Sequence, residues 1–394
     1  MLLYIHVPFC RGKCPYCSFS SQPLAPGREG REMSGYLAAL LRELTLWGER
    51  LGRAGVETVF FGGGTPSLLP LEALAGILDR VRTVFALSSS AEMSLEANPE
   101  SALAPGWLHG LRQTGVNRLS LGIQSLDDGE LRILGRAHSA REAARACELA
   151  REGGITNLNL DFIWGLPGER SGQSQAKWLR QLKQAVALRP DHISAYGLAL
   201  EEGAPLASAC ADGSLLLPGE REQASLYLAG AEFLESQGFM QYEISNFARM
   251  GFTCRHNLGY WEGRDFLGLG PSAVSTLGGA RWTNPANPAA WRKAVNAGQA
   301  APNPETLDPP TRSREMLMLR LRLQKGLRLR EWNALTGRSF LRDFAPLILP
   351  LQQKGLAATR RGFFRLTRSG MLVSNTILAH FFDRLPKEGA STGK

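Results

Sequence analysis

The sequence predicts an α/β fold: a parallel sheet with helices outside it, followed by a smaller α+β module of winged-helix type. Three observations carry this. Strand-like and helix-like runs alternate over the first 240 or so residues without hairpin signals. Polar and glycine-rich residues recur just after the strands, where ligand groups gather in such folds. The charge is also divided: residues 312–394 hold 17 Lys and Arg against 5 Asp and Glu, and the rest hold 28 against 31. A closed or partly closed (β/α) barrel and an open doubly wound sheet both fit the alternation.

The strands, in order, are Leu2–Val7, Thr58–Phe61, Glu92–Glu96, Arg118–Ile123, Asn157–Ile163 and His192–Leu200. Between them lie amphipathic stretches at helical spacing: Tyr36–Arg53, Leu71–Val84, Gly106–Thr114, Ala140–Glu152 and Gln173–Leu188. The strand ends carry Pro8-Phe9-Cys10, Gly62-Gly63-Gly64-Thr65-Pro66, Glu96-Ala97-Asn98-Pro99, Gln124-Ser125 and Gly165-Leu166-Pro167-Gly168. From Gln241 to Ser275 aromatics, Gly and Asn crowd together, and Asn284–Pro310 reads partly as a linker. Helices follow at Arg314–Gln324, Leu329–Leu335 and Leu341–Lys354. A β-hairpin (Leu356–Thr359, Phe363–Thr367) and a last helix, Ser369–Phe382, complete a winged-helix pattern. The expected divisions are residues 1–240, 241–310 and 311–394.

The chain has 394 residues, 44% hydrophobic and 21% charged, with a net charge of +9. That composition excludes global disorder and coiled coil. No apolar run is long enough to span a bilayer, and the N-terminus lacks a basic signal-peptide region, so a cytoplasmic protein is expected. In that compartment six cysteines are metal ligands or inert thiols sooner than disulfides. The basic tail lacks aromatic interleaving along a basic face, so no nucleic acid is expected. It is expected instead to dock a partner protein or an anionic membrane face, which would make the chain peripheral at a membrane.

Cys10, Cys14 and Cys17 stand in a C-x3-C-x2-C spacing just after the first strand. Three thiolates so close can wrap one small cluster. Zinc would want a fourth ligand, whereas a four-iron cluster held by three cysteines leaves one iron open. With Tyr16 just before the third cysteine, the motif resembles the radical S-adenosylmethionine (SAM) superfamily. That resemblance implies a partial (β/α)6 TIM-type barrel, a [4Fe-4S] cluster on Cys10, Cys14 and Cys17, and SAM as second cofactor. Positions matching Tyr4, Tyr16, Gly63, Gly64, Thr65, Glu96, Gln124, Arg136 and Asp161 are SAM contacts in the family. Physically, the glycines admit a close backbone approach, Glu96 and Asp161 offer acceptors to hydroxyls or an ammonium, and Arg136 suits a carboxylate. Competing readings are an ordinary turn at the glycines and packed core at the tyrosines.

The further motifs Leu121-Gly122-Ile123-Gln124-Ser125, Leu134-Gly135-Arg136-Ala137-His138, Asp161–Gly168 and Tyr242–Ala248 narrow this to the oxygen-independent coproporphyrinogen III oxidase-like branch. Together with His256-Asn257-x2-Tyr260-Trp261 they resemble its haem-chaperone members most. That implies haem as cargo, with His256, Asn257, Tyr260 and Trp261 as candidate haem residues, against the reading of His256 as a hydrogen-bonded core histidine. Implied partners are acceptor haemoproteins, membrane-bound ones included, and a second copy of the chain. Decarboxylating relatives carry a further Cys two residues after the third, where this chain has Phe19, and an extension before the first strand. Both differences favour the chaperone over the alternative, oxidative decarboxylation of coproporphyrinogen III propionates.

Overall fold

The computed structural model describes residues 1–25 and 27–385; the end of the basic segment, 386–394, lies outside the described residues. Six strands run in parallel and in chain order: β1 (Leu2–Val7), β2 (Gly55–Gly63), β3 (Ala86–Ala97), β4 (Arg118–Gln124), β5 (Leu158–Trp164) and β6 (His192–Gly197). A doubly wound sheet reverses its strand order at a switch point. No reversal occurs here, so the six strands form the partial barrel. All six expected strands are present. The last stops at Gly197, short of the expected Leu200.

The two faces of these strands differ in chemistry. Leu3, Ile5, Val59, Phe61, Leu95, Leu119, Leu121, Leu160, Phe162 and Ile193 point outward into one buried apolar cluster. There they meet helices α1 (Glu29–Leu51), α2 (Leu71–Val84), α3 (Trp107–Thr114), α4 (Ala140–Glu152), α5 (Gln175–Ala187) and α6 (Glu220–Ser236). The intervening residues form polar rows across the interior: Tyr4, Phe60, Ser94 and Arg118 in register, then Glu96, Ser120, Asn159 and His192. Barrel interiors are ordinarily filled by branched apolar side chains; this one is polar and encloses cavities. Helices α2 and α4 fall at the expected bounds. Helix α1 starts at Glu29 instead of Tyr36, because its first turns, Glu29–Gly35, show almost no apolar periodicity.

Both sheet edges extend past the barrel. Beyond β1 lies a seventh parallel strand, β7 (Phe266–Leu269), which the sequence reading missed, and then three antiparallel strands ending at Glu305–Thr306. Beyond β6 come the short antiparallel strands Asn246–Ala248 and Met240–Gln241. The stretch Asn284–Pro310 is more than linker. Asn287 caps a helix, Pro288–Asn296, accepting from the amides of Ala289 and Ala290, with Pro288 at its first turn. Asn-Pro marks a turn and a helix start alike. Trp291 of this helix is buried and donates to Glu43 Oε2 at 3.2 Å.

The C-terminal module has its own core of Trp332, Phe340, Phe344, Phe364 and Phe381. Its hairpin turns at Arg361 and Gly362, both with positive φ (50° and 81°), as a two-residue turn between right-twisted strands requires. The expected helix Leu341–Lys354 is two, Phe340–Asp343 and Ala345–Gln353. Pro346 cannot continue a helix but can begin one. The expected last helix likewise breaks at Val373. Among the described residues no helix is long and apolar enough to cross a membrane.

Candidate cluster and cofactor site

The C-terminal ends of the strands open onto a cavity of about 410 Å³. Cys10, Cys14, Cys17, Tyr16, Gly63, Gly64, Thr65, Glu96, Gln124, Arg136 and Asp161 all line it. The fold thus brings together residues spread over some 150 positions, because all but Asp161, which points inward from the middle of β5, stand close to or beyond the end of a neighbouring strand. Tyr4 alone of the expected SAM contacts does not line the cavity. It lies lower in the barrel, with its hydroxyl 3.1 Å from His6 Nδ1.

The cysteine loop is held at its base and from beneath. Phe9–Cys10 pairs with Gln22–Pro23, closing the loop. Pro15 accepts from the Leu206 amide at 3.0 Å, and Gly135 packs against its ring so closely that a Cβ would lie 2.6 Å from Cδ. The glycine turn after β2 grips the other side. Gly64 N–H donates to Val7 O and Thr65 N–H to Phe9 O, both at 2.7 Å. Thr65 Oγ1 lies 3.6 Å from Cys10 Sγ. A Cβ at Gly63 (φ 109°) would meet the His6 ring at 2.6 Å, and one at Gly64 would run into the Phe9 carbonyl. These glycines are therefore demanded by the chain's own packing as well as by any ligand.

Arg136 crosses the floor of the cavity. Nη2 donates to Asn98 Oδ1 (2.7 Å) and Gly122 O (2.9 Å), and Nη1 lies 3.6 Å from Cys14 Sγ. Its Nε is buried without a partner. Gln124 sits in left-handed backbone, φ 68°, at an irregularity where β4 slips against β5; such a conformation in a non-glycine residue is costly and clusters at functional sites. Glu96 is pushed up to about 8, first by burial and then by the charge of Asp161. Asp161 has both oxygens engaged, by Ser120 and Asn159 at 2.8 Å each. Burial raises the Cys17 thiol, with Cys14 and Cys10 adding to it.

The residues present fit the cluster and cofactor that the resemblance implies. Three thiols share one wall of a cavity whose floor carries an unpartnered guanidinium nitrogen. Among the described residues no three His, Cys, Asp or Glu side chains are gathered closely enough to hold a single ion. A four-iron cube seats its thiolates on separate irons.

The second motif lies elsewhere. A cavity of about 310 Å³ sits deeper in the barrel and shares Glu96, Asp161 and Tyr196 with the first. His256, Asn257 and Tyr260 line it, on helix α7 (Arg255–Trp261). His256 is buried, with Nδ1 2.7 Å from Thr58 Oγ1 and Nε2 3.0 Å from the Tyr260 hydroxyl. Burial, aided by Arg118, lowers it to about 3, so the ring is neutral with both nitrogens occupied. Trp261 reaches a third cavity of about 420 Å³ against the C-terminal module, under the Arg322 guanidinium.

Sequence reasoning did not single out Asn98, Arg118, Asn159 or Tyr196 as site residues. A signal existed: polar residues alternate along β4 to β6, where a parallel strand buried on both faces reads as continuously apolar.

Comparison with known proteins agrees with this geometry. The Radical SAM superfamily profile matches residues 4–172 and the HemN C-terminal domain profile residues 307–373. The chain is 41% identical over 328 residues to the heme chaperone HemW of Mycobacterium tuberculosis (strain ATCC 25618 / H37Rv), covering 82% of each. It is 32% identical to heme chaperone HemW of Bacillus subtilis (strain 168), over 97% of this chain and 99% of that one. Among solved structures, coproporphyrinogen III oxidase (HemN) from Escherichia coli, a radical SAM enzyme, superposes with a TM-score of 0.81. It is 25% identical and covers 98% of this chain and 90% of that one.

Proposed function

The chain belongs to the HemW family of heme chaperones within the radical SAM superfamily, and from that membership we propose that it binds haem and passes it to acceptor haemoproteins. We propose further that Cys10, Cys14 and Cys17 hold a [4Fe-4S] cluster whose open iron takes SAM. The observation that carries this is the shared cavity, with three thiols on one wall and the unpartnered Arg136 Nε on its floor.

When bound, the two cofactors supply one-electron chemistry. The chain's own part is positioning. Thr65 and Arg136 each approach a cluster cysteine, and a charge-assisted donor near a thiolate steadies its charge. Arg136 Nε would donate to a carboxylate, Glu96 and Asp161 would face hydroxyls or an ammonium, and Tyr16 would wall the cavity. For haem, we propose that Asn257 and Trp261 contribute from the cavity beside the C-terminal module. To ligate iron through Nε2, the neutral His256 would have to give up its hydrogen bond to Tyr260 and could keep the one to Thr58. The basic C-terminal module would dock the acceptor, membrane-bound acceptors included.

The decarboxylase reading is not favoured. Phe19, 65% exposed at the rim of the cysteine-lined cavity, stands where decarboxylating relatives carry a thiol. One anaerobic comparison on reconstituted protein tests the choice: haem in one arm, coproporphyrinogen III with SAM and reductant in the other. Saturable haem uptake without protoporphyrinogen supports the proposal; turnover of the porphyrinogen reverses it.

A further inference from the structure

Arg118 opens β4 deep in the barrel and is only 2% exposed. Its Nε is buried without a partner, and its guanidinium makes no hydrogen bond to any side chain among the described residues. A buried permanent cation left without hydrogen bonds is costly, and this one faces the 310 Å³ cavity. The nearby carboxylates are committed to other donors. Glu92 accepts from the amides of Arg255 (2.8 Å) and His256 (3.0 Å) and lies 3.5 Å from Cys254 Sγ, so it caps helix α7. Asp161 is held by Ser120 and Asn159.

Glu92 and Asp161 lie near enough to favour the Arg118 charge without hydrogen-bonding to it, and the other titratable groups facing the cavity are neutral. His192 and His256 are held neutral by burial and by Arg118 itself. Tyr242 and Tyr260 stay protonated through burial, and Glu96, pushed up to about 8, is protonated near pH 7. Hydroxyl and amide groups of Tyr242, Tyr260 and Asn257 complete the wall. The result is a cavity lined by polar and aromatic side chains, faced by a guanidinium that hydrogen-bonds to no side chain among the described residues.

We propose that this lower cavity binds a small carboxylate, taken by the Arg118 guanidinium in the two-pronged geometry that a planar fork and a carboxylate share. The size admits a short-chain acid or one acid arm of a larger ligand. Glu96, Asp161 and Tyr196 stand between it and the cysteine-lined cavity, so an occupant would lie directly beneath any cofactor held there. This goes beyond the chaperone reading and does not depend on haem.

Crystals of the full chain soaked in 3-bromopropionate should show bromine in this cavity, and bromine only elsewhere overturns the proposal. In solution, propionate should bind saturably, and propionamide at least about tenfold more weakly, since the amide lacks the charge. Arg118→Gln should lose the preference for the acid. Equal binding of acid and amide by the wild-type chain, or no saturable propionate binding, also overturns it, whether or not the variant folds. A competition arm names the source. Displacement of 3-bromopropionate by haem but not by haem dimethyl ester identifies a tetrapyrrole propionate; displacement by neither identifies a free acid. A chain that binds haem but no propionate would sink this proposal and leave the chaperone reading standing.

Discussion

Arg136 Nη1 lies 3.6 Å from Cys14 Sγ while Nη2 is anchored to Asn98 and Gly122. One guanidinium from the segment after β4 therefore ties the cysteine loop to the ends of β3 and β4. Arg136→Lys keeps a charge but loses the fork. We expect it to retain the iron–sulfur chromophore and to weaken SAM binding by about tenfold to a hundredfold. Equilibrium dialysis with labelled SAM on reconstituted protein checks this, and unchanged affinity would remove Arg136 from the cofactor site.

Cys14→Ala should abolish the brown chromophore that anaerobic iron and sulfide reconstitution gives the wild-type chain. A full [4Fe-4S] spectrum in that variant would sink the ligand assignment.

Gly64→Ala forces a Cβ against the Phe9 carbonyl, next to Cys10. Overpacking of this kind costs about 1–3 kcal/mol. Although Gly64 carries no ligand atom, the variant should load less iron per chain than wild type at equal protein concentration. Normal iron content with normal stability would show that the turn relaxes freely.

Glu96 has a pKa of about 8 in the folded chain against an ordinary 4.5. The native state therefore binds this proton more tightly than the unfolded state. Its contribution to stability is full below about pH 4.5, falls as pH rises toward 8, and is level above that. Glu96→Gln removes the ionisation, so it should raise the melting temperature of the cofactor-free protein more at pH 9 than at pH 5. An equal shift at both would mean that Glu96 titrates normally.

His256→Ala deletes two hydrogen bonds and a ring stacked on Phe60 at 5.0 Å. The expected cost is about 2–4 kcal/mol in chemical denaturation. Haem bound by the folded variant should keep the wild-type absorption spectrum. A changed axial-ligand spectrum would show that His256 leaves its pocket to bind iron.

Much of this molecule is written locally. The strand and helix periods of β1 to β6, the bounds of α2 and α4, and the three-cysteine spacing all follow from neighbours in sequence, because periodicity and short motifs are short-range properties. Residues at strand ends were also legible as a group, since a parallel sheet collects them at one rim. Tyr4, matched by its motif to the family's SAM contacts, lies lower on β1 and lines the inner cavity.

What the tertiary structure decided is what depends on distant partners. Whether His256 is free or doubly bonded turns on Thr58, nearly two hundred residues away. Whether Arg118 is paired turns on Glu92 and Asp161 being already engaged by α7 and β5. Composition showed the basic charge collecting in the tail; it could not show one guanidinium inside the barrel whose Nε has no hydrogen-bond partner. Burial and hydrogen-bond satisfaction belong to the assembled fold, and they alone separate a structural charge from one that awaits a ligand.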